Sequence, residues 1–385
     1  MKEEIINGIK YRLNEDNLTA EVINNDYEGD IIIPETVVFN ERTYRVTSIG
    51  DNAFSECFSL TSIFISKSIK SIGKSIFNNC ESLTSIVVAG ENTVYDSREN
   101  CNAIIETDAN TLIYGCQNTT IPVSVTSVGE SAFFSCTSLT SIIIPDNVKS
   151  IGEGAFGYCL SLTSITIPES VTSIGASTFV NCKSLKSIII PNNVKSIRKK
   201  AFAHCTSLTS ITIPEGVTSI GDCAFVGCKS LTSIIIPDSI TNIGDYAFQC
   251  CFSLTSVVIP EGVTSIGDCA FIRCTSLTSI IIPDSVTNIG YRAFAGCESM
   301  ISITIPNSIM SIGTEALLDC KSLKSITIPY SVKNVGASAF EDCDSLNSIT
   351  FQGTIAQWKE IELGDNWSKE ILANVVHCTE GDVEI

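Results

Sequence analysis

The chain has 385 residues and a formal net charge of −18, with 24 Lys plus Arg against 42 Asp plus Glu. This balance argues against a nucleic-acid partner, because binding to a phosphate backbone requires a basic surface. Hydrophobic residues make up 44% of the chain, but no apolar run reaches the roughly 18 residues that a membrane span needs. We therefore expect a chain without a membrane span and with a large core.

Residues 1–47 are predicted to form an N-terminal cap. The segments IKYRL and LTAEVI alternate apolar and polar residues around NEDN, which is typical of a β-hairpin. IIIP and VTSIG then introduce elements of a repeat, as expected where a cap grades into the first coil of a solenoid. The opening MKEEIINGIKYRL has no features of a secretory signal. Either the protein stays inside the cell or a signal has been removed upstream.

Residues 48–350 are dominated by a repeat with a period of 23 residues, exemplified by CKSLTSIIIPDSITNIGDYAFQC at 228–250. A fixed period of this length predicts a solenoid in which each repeat forms one coil. It is too short for a propeller blade or a pair of helices, but it suits a leucine-rich or β-solenoid coil. Such coils bury their apolar residues only by stacking on their neighbours.

Within a coil, L-x-S-I-x-I predicts a short strand with Leu231, Ile234 and Ile236 directed inward. V-x-S-I predicts a second extended run, followed by Gly244 at a corner with positive φ. The A-F-x-x-C segment that contains Phe248 predicts a helical turn packed beneath the next coil.

Two segments depart from the repeat. Residues 88–122 interrupt the array with AIIE and TLIY among polar turn residues, which predicts an irregular coil with a protruding hairpin or loop. Residues 351–385 contain both tryptophans, Trp358 and Trp367, and are predicted to be a C-terminal cap that closes the core with large aromatic side chains.

The cysteine pattern predicts packing, because 12 of the 18 cysteines share one repeat position. Stacked coils lie about 4.8 Å apart, which separates in-register Cβ atoms more than a disulfide prefers. We therefore expect free thiols that pack as small hydrophobic groups. Cys101, Cys116 and Cys378 lie outside the repeat, and the sequence leaves open whether two of them form a disulfide. The shared position is held by Cys57, Cys80, Cys136, Cys159, Cys182, Cys205, Cys228, Cys251, Cys274, Cys297, Cys320 and Cys343.

Material for catalysis is scarce. The only histidines are His204, in a repeat turn, and His377, in the tail. Two histidines leave few ways to form a Ser-His-Asp or Cys-His catalytic arrangement. The sequence also contains no phosphate-binding loop and no metal-ligand spacing. We expect no enzymatic activity, no catalytic residues, no cofactor and no metal.

The outward strand positions form a candidate partner-binding surface. Ile recurs there every 46 residues, with Thr or Val between. A concave face that binds a partner is one reading; strand propensity in a duplicated two-coil unit and an ice-binding threonine ladder are alternatives. The candidate residues are Thr140, Ile143, Thr166, Ile189, Thr212, Ile235, Val258 and Ile281.

Two charged features flank this surface. A residue after each proline is usually acidic, as at Asp238 and Glu261, which suits a solvated edge, bridging cations or a basic partner. Residues 182–204 are locally basic, and Arg198 replaces the corner glycine, so we expect an altered or strained corner. This coil either offsets acidic neighbours or contacts an anionic partner. Its basic residues are Lys183, Lys186, Lys195, Arg198, Lys199 and Lys200.

SLTSIIIPDSVTNIGYRAFAGC, with its iterated S-L-x-S-I-x-I-P and A-F-x-x-C, resembles the BspA-like leucine-rich repeat surface proteins over about residues 45–350. The resemblance implies a right-handed, curved leucine-rich-repeat solenoid, with a short parallel sheet, short helical turns and a cap at each end. It also implies a non-enzymatic adhesion or protein-binding scaffold, secreted or at the bacterial surface. The partner would be a host matrix protein or another cell-surface protein. An intracellular protein-interaction scaffold in the cytoplasm is the alternative, and the oligomeric state stays open.

Overall fold

The computed structural model describes residues 1–385, which fall into two compact units, Met1–Lys183 and Ser184–Ile385. Each unit is a β-solenoid built from stacked coils with parallel strand pairs, which confirms the predicted repeat solenoid. Most coils contribute two short strands. We call the strand in the S-I-x-I segment the front strand and the strand in the V-x-S-I segment the side strand.

In the first unit, the N-terminal residues form a sheet before the repeat begins. Ile9–Asn14 pairs antiparallel with Thr19–Val22, which confirms the predicted hairpin, and Lys2–Ile6 adds a further antiparallel strand. The remaining strands of this unit are Gly29–Ile33, Thr36–Phe39, Arg42–Ile49, Leu60–Ile65, Ser71–Ile72, Ser85–Val88, Tyr95–Asp96, Ala103–Glu106, Thr111–Gly115, Ser127–Val128, Ser141–Ile143, Ser150–Ile151, Ser164–Thr166 and Ser173–Ile174.

The interruption of the array contains the predicted hairpin. Ala103–Glu106 pairs antiparallel with Thr111–Gly115, and a short 3-10 turn precedes it at Arg98–Asn100. Ile104 and Leu112 are fully buried, so this hairpin belongs to the core and does not protrude. Thr111–Gly115 also pairs in parallel with Ser127–Val128, which joins the hairpin to the side strands of the following coils.

In the second unit, front strands pair in register from coil to coil. The front strands are Ser187–Ile189, Ser210–Thr212, Ser233–Ile235, Ser256–Val258, Ser279–Ile281, Ser302–Thr304, Ser325–Ile328 and Ser348–Phe351, followed by Val375–Cys378 and Gly381–Glu384. The side strands are Ser219–Ile220, Asn242–Ile243, Ser265–Ile266, Asn288–Ile289, Ser311–Ile312, Asn334–Val335 and Glu362–Leu363.

The core of this unit follows the predicted inward positions. Leu231, Ile234 and Ile236 are buried, although Leu231 precedes the strand, which spans only Ser233–Ile235. Phenylalanines of successive coils stack nearly face to face, and the rings of Phe225 and Phe248 have centroids 5.3 Å apart. Each coil thus completes the hydrophobic core of its neighbour.

The predicted helical turn is wrong. Tyr246 and Cys250 both have positive φ, at 57° and 58°, and a repeated left-handed residue prevents a helix from propagating. Backbone amides alternate between local and inter-coil bonds instead. The Cys251 amide donates to Phe248 O at 3.2 Å, whereas the Phe248 amide donates to Ala270 O of the next coil at 2.7 Å. The turns therefore form a hydrogen-bonded ladder of their own.

The positive φ predicted for Gly244 is also wrong, since the left-handed residues lie elsewhere in the coil. A Cβ at Gly244 would lie 2.7 Å from the Asp222 amide nitrogen, so this glycine permits close approach of neighbouring coils. Arg198 has no positive φ either, which removes the reason for the expected strain at its corner. Its coil nevertheless has no side strand and retains only a single bridge between Ile197 and Ile220.

The C-terminal residues place their aromatic side chains over the last coils. A one-turn helix at Ile355–Trp358 starts with a capping box formed by Thr354 and Gln357. Trp358 and Trp367 are buried, with ring centroids 5.8 Å apart. Trp367 also contacts Phe340, with ring centroids 6.1 Å apart, so aromatic side chains close the end of the core.

Candidate partner-binding surfaces

The front strands of the second unit present a row of exposed side chains, which we call the front stripe. Its apolar members Ile189, Ile235, Val258 and Ile281 are 74%, 79%, 66% and 66% exposed. Thr212 lies between the first two and is also exposed. Backbone pairing aligns these residues directly, for example Ile235 with Val258 and Val258 with Ile281.

Threonines beside the front stripe donate their hydroxyl protons to backbone carbonyls of the preceding coil. Thr232 donates to Thr209 O at 3.4 Å, and Thr255 and Thr278 donate to the carbonyl of the preceding coil at 3.2 Å each. These protons are therefore used to tie coils together. The aliphatic groups of the front stripe are therefore left as its main contact surface.

A row of carboxylates lies beside the front stripe. Each belongs to the residue that directly follows the proline of its coil. Glu215, Asp238, Glu261 and Asp284 are exposed, while the ion pairs of this unit involve other acids, such as Glu315 with Arg292. Their charge is thus uncompensated by neighbouring side chains. The edge of the front stripe is consequently negative.

In the first unit, the predicted residues Thr140, Ile143 and Thr166 are all exposed. Ile143 pairs with Thr166 on neighbouring front strands, whereas Thr140 precedes the strand and offers its carbonyl to the Thr163 amide at 3.1 Å. Thr140 is therefore at the margin of the surface.

The sequence-based prediction missed a second exposed group in this unit. Ile32, Phe64 and Val87 occupy the same outward position and are aligned with one another on paired strands. The IIIP motif at residues 31–34 contained the necessary signal, because Ile32 stands between the two isoleucines that resemble those of the repeat.

The basic residues of 182–204 are distributed over both units. Lys183 belongs to the first unit, and Lys186, Lys195, Arg198, Lys199 and Lys200 belong to the second. The latter five are exposed, and the ion pairs of their unit involve Arg292, Lys321 and Lys369 instead. We call these five residues the basic coil.

The repeated cysteines are interior groups. All 18 cysteines are free thiols, and the repeat-position thiols donate to a carbonyl of the preceding coil, as Cys251 does to Phe225 O at 3.3 Å. Burial raises the pKa of Cys228 and Cys297 to about 12. These findings confirm that the column serves packing, and Cys101, Cys116 and Cys378 are free as well.

Other chemistry at the surface is sparse. His377 lies at the end of the front strands, where its Nδ1 is 2.9 Å from Asp382 Oδ1, and both side chains are exposed. No group of three or more His, Cys, Asp and Glu side chains is arranged to hold a metal ion. The protein also contains no helix with the length and apolar character of a membrane span.

Comparison with known proteins agrees with this architecture. The BspA type leucine rich repeat region, in six copies, matches residues 34–107, 104–208, 195–298 and 241–362. No curated relative matches.

Two solved structures are similar along nearly their whole length. A leucine rich cell surface protein from Faecalibacterium prausnitzii is 30% identical, with a TM-score of 0.56, covering 94% of this chain and 98% of the other. A leucine-rich repeat protein from Bacteroides ovatus is 26% identical, with a TM-score of 0.55, covering 97% and 99%. The repeat matches and these similarities together show that the chain belongs to the BspA-type leucine-rich repeat family.

Proposed function

We propose that this protein is a non-enzymatic adhesion or protein-binding scaffold, secreted or at the bacterial cell surface, that engages its partner through the front stripe. The main observation that supports this proposal is the alignment of exposed Ile235, Val258 and Ile281 on paired strands. Contiguous aliphatic side chains in water mark interaction surfaces more often than isolated ones do. The Faecalibacterium relative, described as a cell surface protein, supports the proposed location.

The structure of the front stripe suits recognition of a protein. Ile235, Val258 and Ile281 are held by strands that pair on both sides, so little conformational freedom is lost on binding. Serines and carboxylates surround the aliphatic groups and would form a polar rim. Their combination favours a host matrix protein or another cell-surface protein over a small molecule, which would need a deeper pocket.

The test is binding to immobilised host extracellular-matrix proteins, measured by biolayer interferometry. The variant carries Ile235→Glu and Val258→Glu, which place two charges at adjacent positions of the front stripe. We expect binding to weaken at least about tenfold, equivalent to about 1.4 kcal/mol, because a desolvated aliphatic contact becomes an unpaired charge.

The control carries Thr241→Glu and Thr264→Glu, which add the same charge to the same two coils beside the side strands. Both positions are exposed, and circular dichroism melting verifies that each variant folds. Equal affinity of wild type and the front-stripe variant for every matrix protein that binds would refute the proposed surface.

The alternative is an intracellular protein-interaction scaffold that uses the same surface. It is favoured by the 18 free thiols, since reduced cysteines are typical of reducing compartments. Protease treatment of intact cells, followed by immunoblotting, separates the two locations: degradation supports the cell surface, and protection supports the cytoplasm.

A further inference from the structure

The row of front strands is interrupted in the first unit. Gly29–Ile33, Leu60–Ile65 and Ser85–Val88 form one sheet, and Ser141–Ile143 pairs with Ser164–Thr166 in another. Ser141–Ile143 has no strand partner on the edge that faces the insertion. Its backbone N–H and C=O groups along that edge are therefore open to pairing.

The segment Thr119–Ile121 faces Ser141–Ile143 across a groove and makes its hydrogen bonds elsewhere. Thr119 Oγ1 donates to Asn102 O at 2.6 Å and accepts from the Cys116 amide at 2.8 Å. The Thr120 amide donates to Cys101 O at 3.0 Å. These bonds tie the segment to the insertion and hold it away from the strand at Ser141–Ile143.

A groove of about 640 Å³ lies between these two segments. Thr120, Ile121 and Val123 line one wall, and Ile142 and Ile143 line the other. Val123 and Ile143 are 66% and 85% exposed, so both walls present aliphatic groups.

The two walls are fixed relative to one another within this unit. The Asn147 side chain, which follows the second wall, donates to Val123 O at 2.7 Å. Thr119, at the base of the first wall, is buried and hydrogen-bonded on both sides. The groove is thus preformed, which lowers the cost of binding.

We propose that this groove binds an extended, basic peptide segment of another protein, which adds to the open edge of Ser141–Ile143 as a further strand. An open edge recognises a partner through its main chain, and pockets along the edge select alternate side chains. The site lies in the first unit and depends on main-chain pairing, so it goes beyond the function proposed for the front stripe.

The negative charge at the groove favours a basic peptide segment over a neutral or acidic one. Asp146 lies at the end of the groove, is exposed, and is not among the acids that form ion pairs in this unit, such as Glu3, Glu21 and Asp96. The chain as a whole carries −18. A segment with aliphatic side chains at alternate positions and a lysine beyond them would satisfy the groove walls and the carboxylate together.

The probe is the peptide Thr-Ile-Thr-Ile-Thr-Lys-amide, labelled with fluorescein at its N-terminus so that the lysine ammonium stays free, and titrated against the full chain by fluorescence anisotropy. A second peptide carries N-methyl groups on both isoleucine nitrogens, which removes two backbone donors while retaining every side chain. We expect the methylated peptide to bind at least about tenfold more weakly, because strand addition depends on those donors.

Protein variants locate the site. Ile143→Lys should weaken binding of the unmethylated peptide at least about tenfold by removing an aliphatic wall and adding a like charge. Ile301→Lys is the control: it makes the same exchange at an exposed isoleucine that immediately precedes Ser302–Thr304, a strand paired on both sides, and should leave the affinity unchanged.

Equal affinity of the two peptides would overturn the proposal, and that comparison uses only the wild-type chain, so it does not depend on whether a variant folds. Absence of saturable binding would also overturn it. The alternative occupant is a second copy of this chain, which sedimentation velocity tests. A dimer that dissociates when the peptide is added would assign the groove to that second copy and refute the assignment to another protein. Matrix binding through the front stripe is measured separately, so each proposal can fail alone.

Discussion

At the scale of single residues, one position of each coil combines packing with a hydrogen bond. Cys251 is fully buried and donates to Phe225 O, whereas its neighbour Cys250 is half-buried with positive φ. The regular spacing predicted this packing role, because stacking places equivalent residues together. The carbonyl acceptor could not be predicted, because it depends on the turn geometry that the sequence pattern suggested incorrectly.

Removing one buried thiol should cost stability. Cys251→Ala loses the sulfur contacts and the bond to Phe225 O, and we expect the free energy of unfolding to fall by about 1–2 kcal/mol. Cys250→Ala is the matched control and should change it by less than about 0.5 kcal/mol. Urea denaturation followed by circular dichroism measures both. Equal effects would show that the column position has no special packing role.

The buried thiols should also make the fold sensitive to alkali. Burial raises the pKa of Cys228 and Cys297 from 9.0 to about 12. Above pH 9 the unfolded chain releases these protons while the folded chain retains them, so the unfolding free energy declines as pH rises from about 9 to 12. The double variant Cys228→Ala, Cys297→Ala should show a shallower decline over this range. A slope identical to that of wild type would contradict the assignment.

At the scale of elements, the sequence predicted which residues enter the core better than it predicted the backbone. Leu231, Ile234 and Phe248 are inside as expected, because apolar periodicity reports burial directly. The turn around Phe248 contains left-handed Tyr246 and Cys250 rather than a helix. Neither residue type signals positive φ, and inter-coil bonds impose it, so the local pattern was insufficient.

The corner glycines provide a test of coil spacing. Gly244→Ala would place a Cβ 2.7 Å from the Asp222 amide nitrogen and 2.8 Å from Gly221 C. Because backbone atoms cannot move aside without separating coils, we expect a loss of about 1–3 kcal/mol in the free energy of unfolding. Gly90→Ala, where nothing lies within 4 Å of the added carbon, should be nearly neutral. Urea denaturation of both variants measures the difference, and a neutral Gly244→Ala would contradict the close-approach role.

At the scale of the whole molecule, repetition made the solenoid predictable, while departures from the repeat carry the surface chemistry. The position of Ile235 followed from the alternation within a strand. The groove beside Ile143 did not, because it arises where Thr119 bonds to Asn102 in the insertion instead of pairing as a strand. Side-chain bonds between residues distant in the chain leave no periodic signal.

The basic coil yields a prediction about charge distribution. Lys199 and Lys200 are exposed and lie near Cys223, where the Lys200 ammonium partly offsets the rise in the thiol pKa that burial causes. Exposed charges contribute little to stability but direct association with charged partners. Lys199→Glu with Lys200→Glu should therefore reduce retention on immobilised heparin, a polyanionic probe, and lower the melting temperature by no more than about 2 °C.

The matched control is Lys324→Glu with Lys333→Glu, also exposed in the second unit. Each exchange changes the charge by −2, so both double variants move the formal net charge from −18 to −22. If only total charge matters, the two variants should elute at the same salt concentration. If the basic coil is a local anionic contact site, the Lys199 and Lys200 variant should elute at lower salt than the control. Identical elution would leave the basic coil as a means of offsetting its acidic neighbours.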